Sequence, residues 1–224
     1  MRSENHYSQF IIKDVKIYMK LHKLTLGELQ TNCYILADEE SKQAILIDAP
    51  ANADLILNLL EENDYTLQEI LLTHAHFDHI LALAEVKQRT GAPVSVHADD
   101  ALFLEDSALN LAHYINHVWQ PVAYDKLMRD GDIIRLGDER IQVLHTPGHT
   151  QGCVCFLIGN TLISGDTLFR RSVGRVDHPG GNLQQEIQSI REKLMPLSDE
   201  LLVYPGHGPS TTIGEERREN PYLQ

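Results

Sequence analysis

The stretch THAHFDH at residues 73–79 directly follows the apolar segment EILL at residues 69–72 and contains three imidazoles and one carboxylate. In an extended segment the side chains at positions i and i+2 project to the same side, so His74 and His76 can converge on one ion. Asp78 and His79 can then serve a second ion. Such a dense set of polar groups is costly to bury without partners. The stretch therefore predicts a metal-binding site at the end of a buried strand.

Length and composition limit the kinds of protein that the sequence can specify. With 224 residues and no linker rich in Pro, Gly or Ser, the chain is predicted to form one domain spanning residues 1–224. A formal net charge of −13, without clusters of Lys or Arg, argues against a nucleic-acid partner. No apolar run approaches the roughly 20 residues that span a bilayer, and residues 1–20 lack a secretory signal. We therefore expect a cytoplasmic protein with no membrane partner, and the sequence does not specify an oligomeric state.

The hydrophobic pattern alternates between strand-like and helix-like segments. Strands are predicted at 11–26, 33–37, 43–48, 93–97, 132–136, 140–145, 153–158, 161–164 and 201–204, with a hairpin turn at 38–41. Helices are predicted at 52–63, 79–90, 98–120, 183–195 and 213–218. Cys33, Cys153 and Cys155 form no CxxC pair and are expected to be buried as small apolar groups. Two sheets with helices on the outside would accommodate this order of elements.

Three further candidate ligands end or follow predicted strands. They are His149 in TPGHT (146–150), Asp166 in SGDT (164–167) and His207 in PGHG (205–208). A glycine beside each one lets the backbone turn sharply, so that the side chain can point into a shared cleft. Together with the first stretch they make seven candidates, enough for two ions. Imidazole and carboxylate ligands suit zinc, iron or manganese.

The strings THAHFDH, TPGHT, SGDTLF and PGHG, in this order, resemble the metallo-β-lactamase superfamily. The resemblance implies an α+β fold, an αββα sandwich of two packed mixed β-sheets with helices on the outer faces. It also implies a distribution of the ligands. His74, His76 and His149 would hold the first metal ion, Asp78, His79 and His207 the second, and Asp166 would bridge the two.

The resemblance further implies a hydrolase with two divalent metal ions, zinc first, with iron or manganese as alternatives. Metal coordination lowers the pKa of water from 15.7 to about 7, so a hydroxide between the ions would attack the carbonyl carbon of a thioester or related small ester. Asp78 is predicted to be catalytic as well as a ligand, because it would orient the attacking water and act as general base.

Within the superfamily, DTLFRRSVGR at residues 166–175 resembles the glyoxalase II branch, the hydroxyacylglutathione hydrolases. That resemblance gives Arg175 the role of binding a substrate carboxylate, which suits the forked guanidinium. His178, on the glycine-rich loop 176–181, is a second candidate substrate-binding residue. Asp177 and the pair Pro209-Ser210 stand where glyoxalase II proteins have aromatic residues. The ending after His207 is similar to short bacterial glyoxalase II-like hydrolases, without the C-terminal helical domain of the long type.

Other functions remain open from the sequence. A mononuclear iron dioxygenase acting on glutathione persulfide would retain much of the same motif, with His76, His149 and Asp166 as its ligands. A lactonase shares the whole ligand set, because substrate choice depends on the loops around the cleft. A non-catalytic metal-binding domain is a third alternative. The metal stoichiometry and the substrates turned over separate these possibilities from a glyoxalase II-like hydrolase of a small-molecule substrate.

Overall fold

The computed structural model describes the backbone of residues 8–11 and all of residues 19–115 and 119–224. Seven strands form the first sheet in sequence order: β1 (Ser8–Ile11), β2 (Met19–Leu26), β3 (Thr31–Asp38), β4 (Gln43–Ile47), β5 (Thr66–Leu71), β6 (Val94–His97) and β7 (Lys126–Met128). The pairs β1–β2, β2–β3 and β3–β4 are antiparallel. Strands β4 to β7 are parallel, so this sheet is mixed.

The second sheet has six strands in the order β15-β14-β11-β10-β9-β8. Their bounds are β8 (Ile133–Leu136), β9 (Glu139–His145), β10 (Val154–Ile158), β11 (Thr161–Gly165), β14 (Leu202–Pro205) and β15 (Thr211–Thr212). Only β11 and β14 run parallel, so this sheet is also mixed. In the sequence, β11 is followed by a two-stranded antiparallel ribbon of β12 (Leu168–Phe169) and β13 (Ser172–Val173).

Helical segments connect the strands. The α-helices are α1 (Ala53–Glu62), α2 (Phe77–Ile80), α3 (Leu83–Thr90), α4 (Leu183–Ser189) and α5 (Ile213–Glu219), and Ile190–Leu194 continues α4 with π-helical geometry. Two 3-10 segments occupy Ala98–Leu104 and Ala112–Ile115. Side-chain caps begin the last two α-helices, since Asn182 accepts from Gln185 N–H and Thr212 from Glu215 N–H. In the described part of the chain, no helix combines the length and apolar character needed to cross a bilayer.

The core consists of three apolar clusters separated by the two sheets. On β3, Cys33 and Ile35 pack towards α1 and α3, whereas Tyr34 and Leu36 pack between the sheets. On β10, Phe156 also lies between the sheets. A third cluster lies between the second sheet and helices α4 and α5, with Cys155, Leu162, Ile190, Val203 and Ile213 among its members. Alternate side chains of each strand thus fill two different layers, which is the αββα sandwich that the resemblance implied.

Most predicted elements are confirmed, including the hairpin turn, α1, α5 and the strands on both sides of the site. The predicted helix 79–90 is divided, because Ala82 N–H bonds to the carbonyl of Ala49 instead of continuing a helix. The one or two helices predicted over 98–120 are confirmed only as two short 3-10 segments. There the Asn110 side chain bonds to Phe103 O and Ala112 N–H, which competes with helical hydrogen bonds, and 3-10 turns form instead. Residues 116–118, and residues 12–18 of the predicted first strand, lie outside the described residues.

Candidate metal centre

The seven candidate ligands lie at one edge of the sandwich, on the segments that follow strand ends. The loop after β5 carries His74 and His76 and continues into α2, whose first turn carries Asp78 and His79. His149 lies between β9 and β10, Asp166 follows β11, and His207 follows β14. Loops at strand ends are free to present side chains, while the sheets behind them fix the distances.

Three histidines form the first group of candidate ligands. Nε2 of His149 lies 2.9 Å from Nδ1 of His76 and 3.2 Å from Nε2 of His74. All three rings are buried. Burial lowers the pKa of His149 to about 4 and holds the pKa values of His74 and His76 well below the ordinary histidine value. The rings are therefore neutral at pH 7, and their nitrogen lone pairs are available to a cation.

Asp78, His79 and His207 form the second group, and Asp166 lies between the two groups. Nε2 of His207 is 3.2 Å from Oδ2 of Asp78, and Nε2 of His79 is 3.7 Å from the same atom. Oδ1 of Asp166 lies 3.3 Å from His79 Nε2. Its Oδ2 lies 3.5 Å from His207 Nε2 and 3.7 Å from His149 Nε2. The Asp166 carboxylate therefore faces both groups, as a bridging ligand must.

Hydrogen bonds behind the site fix the orientation of four of the five candidate histidines. The bonds join His74 Nδ1 to Thr73 Oγ1 (3.1 Å), His79 Nδ1 to Asp48 Oδ2 (2.8 Å), His149 Nδ1 to Arg175 O (2.7 Å) and His207 Nδ1 to Leu29 O (3.1 Å). In each ring the hydrogen bond holds the Nδ1 proton outside the site, so Nε2 is the nitrogen that points inwards. Such bonds select the tautomer and raise the basicity of a metal ligand.

The donor set fits divalent cations. Nε2 of His79 and Oδ1 of Asp166 are buried and have no hydrogen-bond partner within the described chain. Although burial opposes protonation of His79, the carboxylates of Asp166, Asp78 and Asp48 raise its pKa well above the ordinary value. The pocket thus attracts positive charge at the place where two carboxylates and two imidazoles meet. Imidazole nitrogen and carboxylate oxygen are the ligands that zinc, iron and manganese use.

Two residues behind the ligands shape the loops, and one of them, Asp100, lies outside the quoted motifs. Asp100 accepts hydrogen bonds from Ala75 N–H (3.1 Å), Gly152 N–H (2.8 Å) and Thr150 Oγ1 (2.8 Å). It thereby joins the loop of His74 and His76 to the loop of His149, and burial raises its pKa to about 6. Gly206 is the second residue, since a Cβ there would overlap Asp166 Oδ1 and lie 2.8 Å from His79 Cε1.

The two predicted substrate-binding residues lie on the wall of the cleft beside the first group. The Arg175 side chain is exposed and forms two hydrogen bonds of 2.9 Å to the carboxylate of Asp177. Its backbone carbonyl accepts from both His149 and His178. The His178 ring lies 4.5 Å from the His76 ring and 4.7 Å from the His149 ring, measured between centroids. Substrate contact by either residue stays a prediction.

Comparisons with known proteins agree with the fold and identify the family. A family model described as the metallo-beta-lactamase superfamily matches residues 26–207. The hydroxyacylglutathione hydrolase GloC of Haemophilus influenzae is 35% identical over 92% of this chain and 98% of its own length. The BLEG-1 B3 metallo-beta-lactamase structure is 37% identical with a TM-score of 0.84, covering 91% of this chain and 99% of that one. TTHA1623, solved in a di-iron-bound form, is 38% identical with a TM-score of 0.81, covering 90% and 99%.

Proposed function

The chain belongs to the metallo-beta-lactamase superfamily, and from this premise we propose that it is a binuclear metal-dependent hydrolase of a thioester or related small ester. Candidate metal-binding groups of His and Asp support metal-dependent hydrolysis. The position of the Asp166 carboxylate supports the binuclear form, because its oxygens lie within 3.7 Å of His149 from the first group and of His79 and His207 from the second.

Two divalent ions held by the seven candidate ligands would supply an ionised water as nucleophile and would polarise the carbonyl group of the substrate. The residues of the chain then orient the reactants. Asp78 is held by Thr31, whose hydroxyl donates to Asp78 Oδ2 over 3.0 Å. We assign Asp78 to orienting the attacking water and accepting its proton, since a carboxylate fixed from behind presents its remaining lone pairs in one direction.

The cysteines support water rather than a thiolate as the nucleophile. Cys33, Cys153 and Cys155 are buried, and burial raises the pKa of all three thiols, that of Cys155 to about 12. A thiolate is the reactive form of cysteine, so these residues are inert at neutral pH.

Thioester cleavage is the preferred reaction class for two reasons. The run DTLFRRSVGR at residues 166–175 resembles hydroxyacylglutathione hydrolases, and the similar protein from Haemophilus influenzae bears that name. In thioester hydrolysis, water adds to the acyl carbon, the C–S bond breaks, and the products are a carboxylate and a thiol. The reaction consumes no oxygen, which distinguishes it from the persulfide dioxygenase alternative.

Metal analysis combined with substrate turnover tests the proposal. We expect two divalent ions per chain, release of thiol from thioesters, loss of that activity on metal removal, and no oxygen uptake. One iron per chain with oxygen consumption on a persulfide would instead establish the dioxygenase.

The assigned role of Asp78 makes a separate prediction. Asp78→Ala should lower kcat by about 100-fold or more, since general base catalysis contributes roughly 10²–10⁴. The measurement is steady-state thioester hydrolysis at saturating metal, with bound metal counted in the same preparation. Undiminished kcat in Asp78→Ala would contradict the assignment.

A further inference from the structure

The cleft beside the candidate metal centre has a volume of about 660 Å³ and an unusually apolar wall. Leu29, Phe77 and Phe169 line it together with Tyr114 and Ile115. Several of these side chains face solvent, with 54% of Leu29, 71% of Tyr114 and 40% of Ile115 exposed. Exposed apolar side chains that gather around one cleft mark a surface that binds an apolar group. The position of this wall, next to His76, His149 and His207, makes that group a part of the substrate.

The charged side chains of the same cleft cancel each other. Outside the seven candidate ligands, the only Asp, Glu, Lys or Arg residues that line it in the described chain are Arg175 and Asp177. They form a bidentate pair, Arg175 Nε to Asp177 Oδ1 and the terminal nitrogen to Oδ2, both at 2.9 Å. The guanidinium lowers the pKa of Asp177 to about 2, so both partners stay charged across the neutral range. Arg175 therefore presents no unpaired positive charge to a ligand.

A glutathione thioester is poorly matched to such a wall. At neutral pH it carries carboxylates at both ends of the tripeptide, and a carboxylate that leaves water needs a cation or several hydrogen-bond donors. The formal net charge of −13 adds a long-range repulsion of anions. An uncharged aliphatic thioester has no carboxylate to desolvate and is not repelled by the net negative charge of the protein. Transfer of its acyl chain out of water is also favourable.

We infer that the preferred substrate is an uncharged thioester with an aliphatic acyl chain, which packs against the wall formed by Leu29, Phe77, Tyr114, Ile115 and Phe169. The inference rests on the proposed hydrolase function and specifies its substrate class. Hydrolysis adds water across the C–S bond and yields a thiol and an anionic carboxylate. The carboxylate product is a weaker ligand for the apolar wall than the thioester, which favours product release.

Three thioesters separate the effects of charge and chain length. They are S-acetyl-N-acetylcysteamine, S-hexanoyl-N-acetylcysteamine and S-hexanoylglutathione, tested on the metal-loaded protein by release of thiol. The hexanoyl chain has four more methylenes than the acetyl group, and each methylene that leaves water adds to the favourable free energy of binding. With partial burial we expect kcat/KM to rise about tenfold or more from acetyl to hexanoyl. We expect S-hexanoylglutathione to fall about tenfold or more below its uncharged counterpart.

Variants locate these effects in the cleft. Ile115→Asp should remove most of the gain from the longer acyl chain, because it places a charge on the apolar wall. Leu183→Asp is the matched control, since Leu183 is 45% exposed but lies in the first turn of α4, away from the cleft. Asp177→Asn frees Arg175 and should raise kcat/KM for S-hexanoylglutathione about threefold or more relative to the uncharged thioester. Calorimetric binding of the thioethers S-hexyl-N-acetylcysteamine and S-hexylglutathione gives a second readout that does not depend on turnover.

The possible outcomes distinguish the inference from the function on which it rests. The inference is overturned if S-hexanoylglutathione is hydrolysed as fast as or faster than S-hexanoyl-N-acetylcysteamine, or if Ile115→Asp and Leu183→Asp respond equally. Either result leaves the proposed hydrolase function unaffected. Failure of all three thioesters to react with two metal ions bound overturns both. Preference for the uncharged hexanoyl thioester, lost in Ile115→Asp and kept in Leu183→Asp, supports it.

Discussion

Replacement of Asp48 by Asn tests whether a residue outside the ligand set controls the second metal site. Asp48 is buried, and its carboxylate accepts three hydrogen bonds. Oδ2 accepts from His79 Nδ1 (2.8 Å) and from Thr73 Oγ1 (2.7 Å), while Oδ1 accepts from Thr73 N–H (2.8 Å). The backbone at Asp48 has φ of +61°, a conformation that Asn tolerates as well as Asp does. The substitution therefore changes hydrogen bonding without straining the loop.

An amide at position 48 conflicts with one partner in either orientation. If its NH₂ group faces His79, Nδ1 must accept, and the proton moves to Nε2, the atom that points into the site. If the NH₂ group faces Thr73 N–H instead, two donors oppose each other. Loss of such an outer hydrogen bond costs roughly 10- to 100-fold in metal affinity, which is about 1.4–2.7 kcal/mol at 25 °C. The loss should fall mainly on the second ion, because Asp48 bonds directly to His79 and reaches His74 only through the Thr73 hydroxyl.

Zinc titration against a competing chelator measures the two affinities separately. Asp54→Asn is the matched control, since Asp54 is exposed on α1 and pairs with Arg89 away from the site. We expect one binding constant, that of the second ion, to fall in Asp48→Asn and both to be unaltered in Asp54→Asn. Wild-type affinity for both ions, or an equal loss at both, would refute the argument that Asp48 acts through the His79 tautomer.

Three further predictions concern packing, pH and metal removal. Gly206→Ala should abolish binding of at least one ion, because the added methyl overlaps Asp166; retention of two ions in metal analysis would contradict this. Burial raises the pKa of Glu186 from 4.5 to about 9, so the folded chain keeps a proton that the unfolded chain releases. Stability of the metal-free protein should therefore fall as the pH rises from about 4.5 to about 9. Glu186→Gln should flatten this slope and raise the free energy of unfolding at pH 7 by up to about 3 kcal/mol, as urea titrations at several pH values would show. Chelation should lower the thermal midpoint, since ions at 100 times their Kd stabilise the fold by about 2.7 kcal/mol per site, and an unchanged midpoint would argue against tight binding.

Sequence patterns predicted the features that depend on local spacing. The i, i+2 relation brings His74 and His76 together, and the alternation along β3 divides its side chains between two core layers. The positions of His149, Asp166 and His207 after strand ends also follow from the alternation of strands and turns. The structure brings all of these residues to one edge of the sandwich. Their assignment to individual metal ions came from the resemblance, because spacing alone does not determine how distant loops meet.

The supporting residues were not predictable in the same way. Asp48 contacts Thr73 across 25 positions, and Asp100 contacts Gly152 across 52. No periodicity connects such positions, so only the folded arrangement of the sheets reveals the pairs. The strands β7, β12, β13 and β15 were also missed, since two or three residues are too few to establish an alternating pattern. Local signals therefore identify the candidate ligands, and tertiary contacts determine how rigidly they are held.

The distribution of charge supports the proposal of two ions. The first group consists of three neutral imidazoles, whereas the second contains the Asp78 carboxylate and shares that of Asp166. If only the first group held an ion, these carboxylates would need another source of positive charge, and the nearest sources are protonated His79 and His207, whose pKa values the carboxylates raise. Their closest contacts are 3.3 Å from His79 Nε2 to Asp166 and 3.2 Å from His207 Nε2 to Asp78, longer than the roughly 2 Å between a zinc ion and a carboxylate oxygen. The mononuclear alternative, with His76, His149 and Asp166 as ligands, relies on these two imidazolium groups, whereas a second divalent ion would replace both.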